Sequence, residues 1–563
     1  MNKNNELREN LNGILPIGAA ERDGAIALTA APTAVLDAAH VGDIQGAWGT
    51  IRQHQYPPRR SLWKRFMALL AIMGPGLIVM IGDNDAGGVA TYTQAGQDYG
   101  TSLLWTLLLL VPVLIVNQEM VVRLGAVIGV GHARLIFERF GKFWGAFSVI
   151  DLFLLNFLTI VTEFIGVTLA MQYFGVSQYL SVPVAAVLLI LMTITGSFRR
   201  WERFMFLFIV TSLLMIPLAF MVHASWQPVL RDTLIPTVQG GLDSTALLLI
   251  IAIVGTTVAP WQLFFQQSNI VDKRITPRWI TYERADTFVG ALLTNVGAAA
   301  LMIAAAFAFK GTALAGQFSD SGVVAAGLRD NVGSLAGAFL AIILLNAGVI
   351  GAAAVTLSTS YAFGDVFNAR HSLHRKAGNA KLFYGIYAFL VMIAAGIVLI
   401  PNAPLQLMTL AVQALAGLLL PSATVFLVLL RNDRDVLGPW VNARWLNVVA
   451  SIIVGVLLIL SLILVVATLF PDINATLISL VAGIVLAAGL LVMGLLSLRS
   501  KEAQEPAAPV DRQHKANWRM PPLAELPKPV WSMTRKVGML MLRGYLLVAA
   551  VLLVVKVIQL VSG

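Results

Sequence analysis

There is no cysteine among the 563 residues, which excludes a disulfide framework, thiolate ligation of a metal and thiol catalysis. Any metal must therefore be held by oxygen or imidazole. Charge is also scarce: 12% of residues are charged against 58% hydrophobic, and the mean hydropathy is +0.80, whereas an ordinary soluble domain carries about 25% charge. The chain has no nucleophile with a partnering base, no HExxH helix and no phosphate-binding glycine loop, so nothing points to an enzyme. No two histidines share a span at metal-ligand spacing. Residues 1–60 lack a continuous apolar core, so they read as a cytoplasmic N-terminal tail without fixed structure rather than a cleavable signal.

What the chain does have is long apolar runs. They fall near residues 66–98, 102–122, 143–174, 180–198, 204–223, 244–271, 285–309, 334–364, 382–400, 405–430, 445–470 and 474–498. These predict an all-α polytopic membrane protein of twelve spans. A thirteenth run, 537–560, follows a linker at 500–535 that is rich in proline and charge and is expected to be extended and exposed. The formal charge of +10 does not indicate nucleic acid, because 26 Lys and Arg collect in alternate connections. The remaining connections hold only Arg231, Lys310 and Arg329. The positive-inside rule places the N-terminus in the cytoplasm, and the partner of this surface is the lipid bilayer.

Two spans are interrupted. The first, GPGLIVMIGDNDAGGVATYTQAG at 74–96, puts Asp83, Asn84 and Asp85 beside two glycines inside apolar sequence. A charge at bilayer depth is costly, and unwound backbone survives there only where it is buried in protein or lines a cavity. The second, LLLIIAIVGTTVAPWQLFFQQSNIVDK at 247–273, is broken around Gly255, Thr256, Thr257 and Pro260. Paired interruptions in two halves of a chain predict an inverted-repeat transporter with an ion site near the midplane.

At these breaks the sequence resembles the Nramp family of divalent-metal transporters, from about residue 66 to about residue 460. Asp85, Ala86, Gly87 and Gly88 fall on the Asp-Pro-Gly-Asn of the family's first helix. VTEFIGVTLAMQYFG places Glu163 on an acid of the third helix, TTVAPWQLFFQQSNIV places Ala259, Pro260 and Trp261 on Met-Pro-His of the sixth, and VQALAGLLLPSATVFLVLL places Gln413 on a glutamine of the tenth. The resemblance implies a LeuT/APC-type fold: two inverted five-helix repeats, 61–230 and 240–432, with helices 1 and 6 broken. Extra C-terminal helices would follow at 440–499 and 536–563. It also implies alternating access around a site in the plasma (inner) membrane, with no cofactor and a transported divalent cation.

The departures from the family bear on which cation is carried. The ligand asparagine is Gly88 and the ligand methionine is Ala259, which leaves Asp85, Gln413 and carbonyls around Gly82 and Thr256 as oxygen ligands. A thioether favours softer transition metals, whereas Mg²⁺ keeps several waters on one or two carboxylates. The pattern is similar to that of the prokaryotic NRAMP-related magnesium transporters, so Mg²⁺, with Mn²⁺ also accepted, is the expected substrate. Proton coupling is not expected, because the sixth-helix histidine is Trp261, Ile160 stands where an acid would precede Glu163, and 382–400 contains no base. The alternative is a proton-coupled Mn²⁺/Fe²⁺ importer of ordinary Nramp type. An organic-solute carrier of the same broad fold is disfavoured by Asp85.

Several residues also have plainer readings. Asp85 could cap the second half-helix. Gln413 could satisfy backbone freed by the break, and Glu163 could be a packed structural acid. Asp83 could face an outer vestibule or join the site, and Trp261 should pack beneath it. Asn295 and Asn346 could line the path or simply bond between helices.

Overall fold

The computed structural model describes residues 38–58, 61–401, 405–469, 475–499, 512–527, 539–540, 542–548 and 551. The first interrupted run forms three helices: α1 (Leu62–Ile72), α2 (Pro75–Gly82) and α3 (Ala86–Tyr99). Ser61 caps α1, and the chain bends by 55° into α2. The joint is Gly74 at φ +153, where any side chain would collide with Glu202 and Lys273, so only glycine fits. After α2 the ladder stops at Asp83, and α3 restarts with Asp85 as its N-cap.

The first repeat continues through α4 (Leu104–Ile128), the short amphipathic α5 (His132–Phe140), α6 (Lys142–Tyr173), α7 (Gln178–Thr193), α8 (Phe198–Ser212) and α9 (Met215–Met221). After a connecting α10 (Trp226–Leu234), the pattern recurs. A broken pair, α11 (Ser244–Thr257) and α12 (Pro260–Asp272), leads to α13 (Ile280–Phe309), the short α14 (Ser321–Asn331), α15 (Ser334–Val366), α16 (Lys381–Val398) and α17 (Leu405–Arg431). Five crossings separate α5 from α14, so these matching short helices lie on opposite faces, as two inverted five-helix repeats require. Then come α18 (Arg434–Leu437), α19 (Arg444–Leu469), α20 (Ala475–Arg499) and α21 (Arg512–Asn517).

Among the described residues nine helices are long and apolar enough to cross a membrane, and the bent pair α1–α2 makes a tenth. Shorter apolar helices lie at 178–193 and 477–489, within the other two expected spans. Leu188, Leu191, Leu207 and Val210 point outward, the apolar exterior that lipid accepts. Both broken spans are central: α3 packs on α13, α6 and α17, while α11 packs on α17 and α12 on α4 and α15.

Two expectations are corrected. The tail predicted to lack structure through residue 60 is folded over 38–58. There β1 (Ile44–Gly46) pairs antiparallel with β2 (Gly49–Ile51), burying Ile44, Ala47 and Ile51 against α1 and α8. Arg199 donates to the Gly46 and Gly49 carbonyls at 3.1 and 3.3 Å, and Arg203 to that of Ala47 at 3.1 Å. The linker expected to be extended is docked over 512–527: Trp440 Nε1 donates to the Lys515 carbonyl at 2.9 Å, and Arg139 to that of Pro527 at 2.7 Å. Some of the basic residues counted for orientation are buried. Lys273 is fully buried, paired with Glu202 at 2.5 Å and donating to the carbonyls of Ile72 and Met73 at 2.6 and 2.9 Å. Within 536–563, the described residues from 539 onward are helical, and Met539, Leu542 and Leu546 are buried. Whether that stretch crosses the bilayer falls outside the described residues.

Removing one partner of a buried ion pair costs about 3–5 kcal/mol. Lys273→Met should therefore lower the thermal midpoint of the purified protein markedly, whereas Arg200→Gln, at an exposed position in the first turn of α8, should leave it unchanged.

Candidate functional site

The two breaks meet. Tyr92 on α3 bonds the Thr257 hydroxyl at the end of α11 at 2.8 Å. Gln262, in the first turn of α12, donates to the Asp83 carboxylate. The indole of Trp261 lies 3.5 Å from where a Cβ on Gly82 would be. The C-terminal ends of α2 and α11 thus point their last carbonyls into one region, and two negative helix ends there favour a cation.

Asp85 lies between them. Its Oδ1 accepts the Gly88 N–H at 2.6 Å, so it does cap α3. Glu163 of α6 reaches the same helix end, its Oε2 accepting the Ala86 N–H at 3.0 Å. Two carboxylates therefore share one half-helix N-terminus, and Asp85 and Glu163 are respectively 3% and 0% exposed.

The glycines explain how other oxygens approach. A methyl group built on Gly88 would lie 3.0 Å from the Asp83 carbonyl oxygen, 3.1 Å from the Thr256 hydroxyl and 3.3 Å from Asp85 Oδ1. Three oxygens thus converge on a space that a larger residue would fill. The Thr256 hydroxyl has no other partner among the described residues. Gln413 presses its amide against Gly87 so closely that no Cβ fits, and α17 backbone likewise abuts Gly255. The Gln413 Nε2 is buried and unpartnered; turning the amide by 180° presents its oxygen to the same place. Ala259, the N-cap of α12, is buried with its short side chain.

Asp85, Gln413, Gly88 and Thr256 are therefore brought together, with Ala259 and Gly82 at the adjoining helix ends. Thr256 offers its hydroxyl, a donor the sequence reading had overlooked in favour of its carbonyl. Asp83 is buried and turned toward α12, not toward an outer vestibule. Trp261 packs under Gly82, and its carbonyl accepts the Ser358 hydroxyl at 3.1 Å. Asn295 bonds the Ala291 carbonyl of its own helix at 2.8 Å and Asn346 bonds Ser212 at 2.8 Å; neither bond is to a site residue. The sequence reading missed Gln262, which lies one helical turn after Ala259 and relays Asp83 to Gln118 at 3.1 Å. Asn84, the middle polar residue of the first break, donates to the Thr294 carbonyl at 3.1 Å.

Among the described residues no group of three or more His, Asp or Glu is poised to hold a metal. The donor set is one carboxylate with neutral oxygens, which suits a cation that passes through partly hydrated. Asp85, Thr256 and Gln413 are all buried. A narrow cleft lined by Thr162, Gly166, Asp320, Ser321 and Thr409 reaches Ala86, beside Asp85, from the face opposite the hairpin. Gly88→Ala would place a methyl among the three oxygens. It is expected to lower cation uptake by about tenfold, the scale of altering one group around a metal, without reducing the amount of folded protein.

Known proteins resemble this chain over most of its length. The model of the family described as Nramp, natural resistance-associated macrophage protein-like, matches residues 76–467. A divalent metal cation transporter MntH of Ralstonia nicotianae is 31% identical over 426 residues, covering 72% of this chain and 92% of that protein. The MntH of Bacillus subtilis is 26% identical over 423 residues, with 72% and 93% covered. Among solved structures, the manganese transporter of Eremococcus coleocola in complex with an aromatic bis-isothiourea substituted compound superposes with a TM-score of 0.59 at 22% identity. It covers 79% of this chain and 97% of that one; the likeness is one of fold.

Proposed function

Because the chain belongs to the Nramp family, we propose that it carries divalent metal cations across the bilayer by alternating access, taking up Mg²⁺ and also accepting Mn²⁺. The observation that carries this reading is the oxygen-only space at Gly88, bounded by Asp85, the Asp83 carbonyl and Thr256, with Ala259 supplying no thioether. Mg²⁺ dehydrates reluctantly and binds through one or two carboxylates with waters retained. A space left by two small residues supports such an ion; Asp85 would be its charged ligand and Gln413 a neutral one.

With the basic face in the cytoplasm of an inner membrane, uptake needs no proton. Two charges crossing a potential of ~100 mV gain ~4.6 kcal/mol, enough for a gradient of roughly a thousandfold. Trp261 and Ile160 leave no titrating group where the family's route has them.

A proton-coupled Mn²⁺/Fe²⁺ importer is the second reading, favoured by the position of Glu163 beside Asp85. Flux into proteoliposomes held at a fixed negative potential separates the two. Mg²⁺ uptake that is unchanged by an imposed pH gradient and acidifies nothing supports the uniporter. Proton entry in step with Mn²⁺, and no Mg²⁺ flux, supports the second reading.

A further inference from the structure

On the face that carries the N-terminal hairpin, the ends of α4, α13 and α17 meet the docked C-terminal segment around a dense group of cations. Arg123 and Arg431 donate to the same two acceptors, the Trp440 carbonyl at 3.1 and 3.1 Å and Asn442 Oδ1 at 2.9 and 3.0 Å, so their guanidinium groups lie side by side. Arg123 and Arg284 share the carboxylate of Glu119 at 2.5 and 2.6 Å. The Lys515 ammonium sits 4.5 Å over the ring of Trp440. Four cations thus face one acid.

Arg431 is fully buried, yet its Nε and Nη1 have no partner among the described residues. The Nε atoms of Arg123 and Arg284 are likewise unpartnered. A guanidinium cannot shed its proton, so a buried one with idle donors is costly unless an anion meets it. Burial and then the charges of Arg123, Arg284 and Arg431 hold the Lys515 ammonium below its usual range. Nothing in the transport reading uses these groups.

We propose that this cluster is a binding site for a phosphate-bearing anion, held by Arg431, Arg123, Arg284 and Lys515. Planar forks match phosphate oxygens two at a time, and idle donors on three arginines are the complement such a group requires. Because Lys515 comes from α21 and the arginines from three spans, the bound anion ties the C-terminal segment to the transport core.

Two sources offer this chemistry, a lipid headgroup and a free phosphate compound. Thermal melts of the purified full chain separate them: in detergent with inorganic phosphate or with metal-free ATP, and in nanodiscs of phosphatidylcholine with or without phosphatidylglycerol. A rise in midpoint of about 3 °C or more is expected in at least one arm. That rise should fall by half or more in Arg284→Gln and Lys515→Gln, whose side chains lie at the accessible edge, away from the cation site. A rise in the detergent arms assigns a free phosphate, and a rise confined to phosphatidylglycerol nanodiscs assigns a headgroup. No rise in any arm, or a rise that both variants retain in full, overturns the proposal.

Discussion

Asp85→Asn should reduce Mg²⁺ uptake roughly 100-fold or more, the upper end of what altering one group around a metal does, while the protein folds normally. The substitution separates the capping that the structure shows from the proposed role as a cation ligand. Asparagine caps a helix about as well as aspartate, so the bond to the Gly88 N–H can persist and α3 keeps its start. What is lost is the charge that compensates a divalent ion at bilayer depth. Uptake measured in proteoliposomes, alongside a thermal melt of the same preparation, reads both tasks. Full transport with asparagine would mean that Asp85 serves only as a cap.

The second large effect is on selectivity. Ala259→Met puts a thioether at the N-cap of α12, beside the space bounded by Asp85 and Thr256. Soft sulfur favours Mn²⁺ or Cd²⁺ and offers Mg²⁺ little. Competition of Cd²⁺ against Mg²⁺ uptake should strengthen by about tenfold or more. An unchanged ratio would remove the link between the missing methionine and the choice of ion.

The broken spans could be read from the sequence because their causes are local. An acid and paired glycines in apolar sequence announce one break, and Thr-Thr followed by Pro260 announces the other. Gln413 was found by resemblance, yet its place against Gly87 depends on α17 crossing α3, which no local pattern encodes. The hairpin at 44–51 escaped notice since its strands are three residues each and are held by Arg199, Arg203 and the Ala47 N–H bond to Glu202. Such tertiary anchors override weak strand propensity. Charge counting yields an expected orientation but not the fate of each charge. Lys273 and Arg431 both enter that count and are nevertheless buried, one paired with Glu202 and the other with donors to spare. Gln262 stands among Gln266, Gln267 and Asn269 with no local pattern to set it apart, and only the fold shows that it meets Asp83.

The water count on bound Mn²⁺ tests the account most directly, since Mn²⁺ is a paramagnetic stand-in for Mg²⁺. Electron–nuclear double resonance in ¹⁷O-labelled water, on the purified protein, is expected to show on the order of three retained waters, with the bound signal lost in Asp85→Asn. A bound Mn²⁺ stripped to one water or none, or a bound signal that survives the loss of the Asp85 charge, would contradict it.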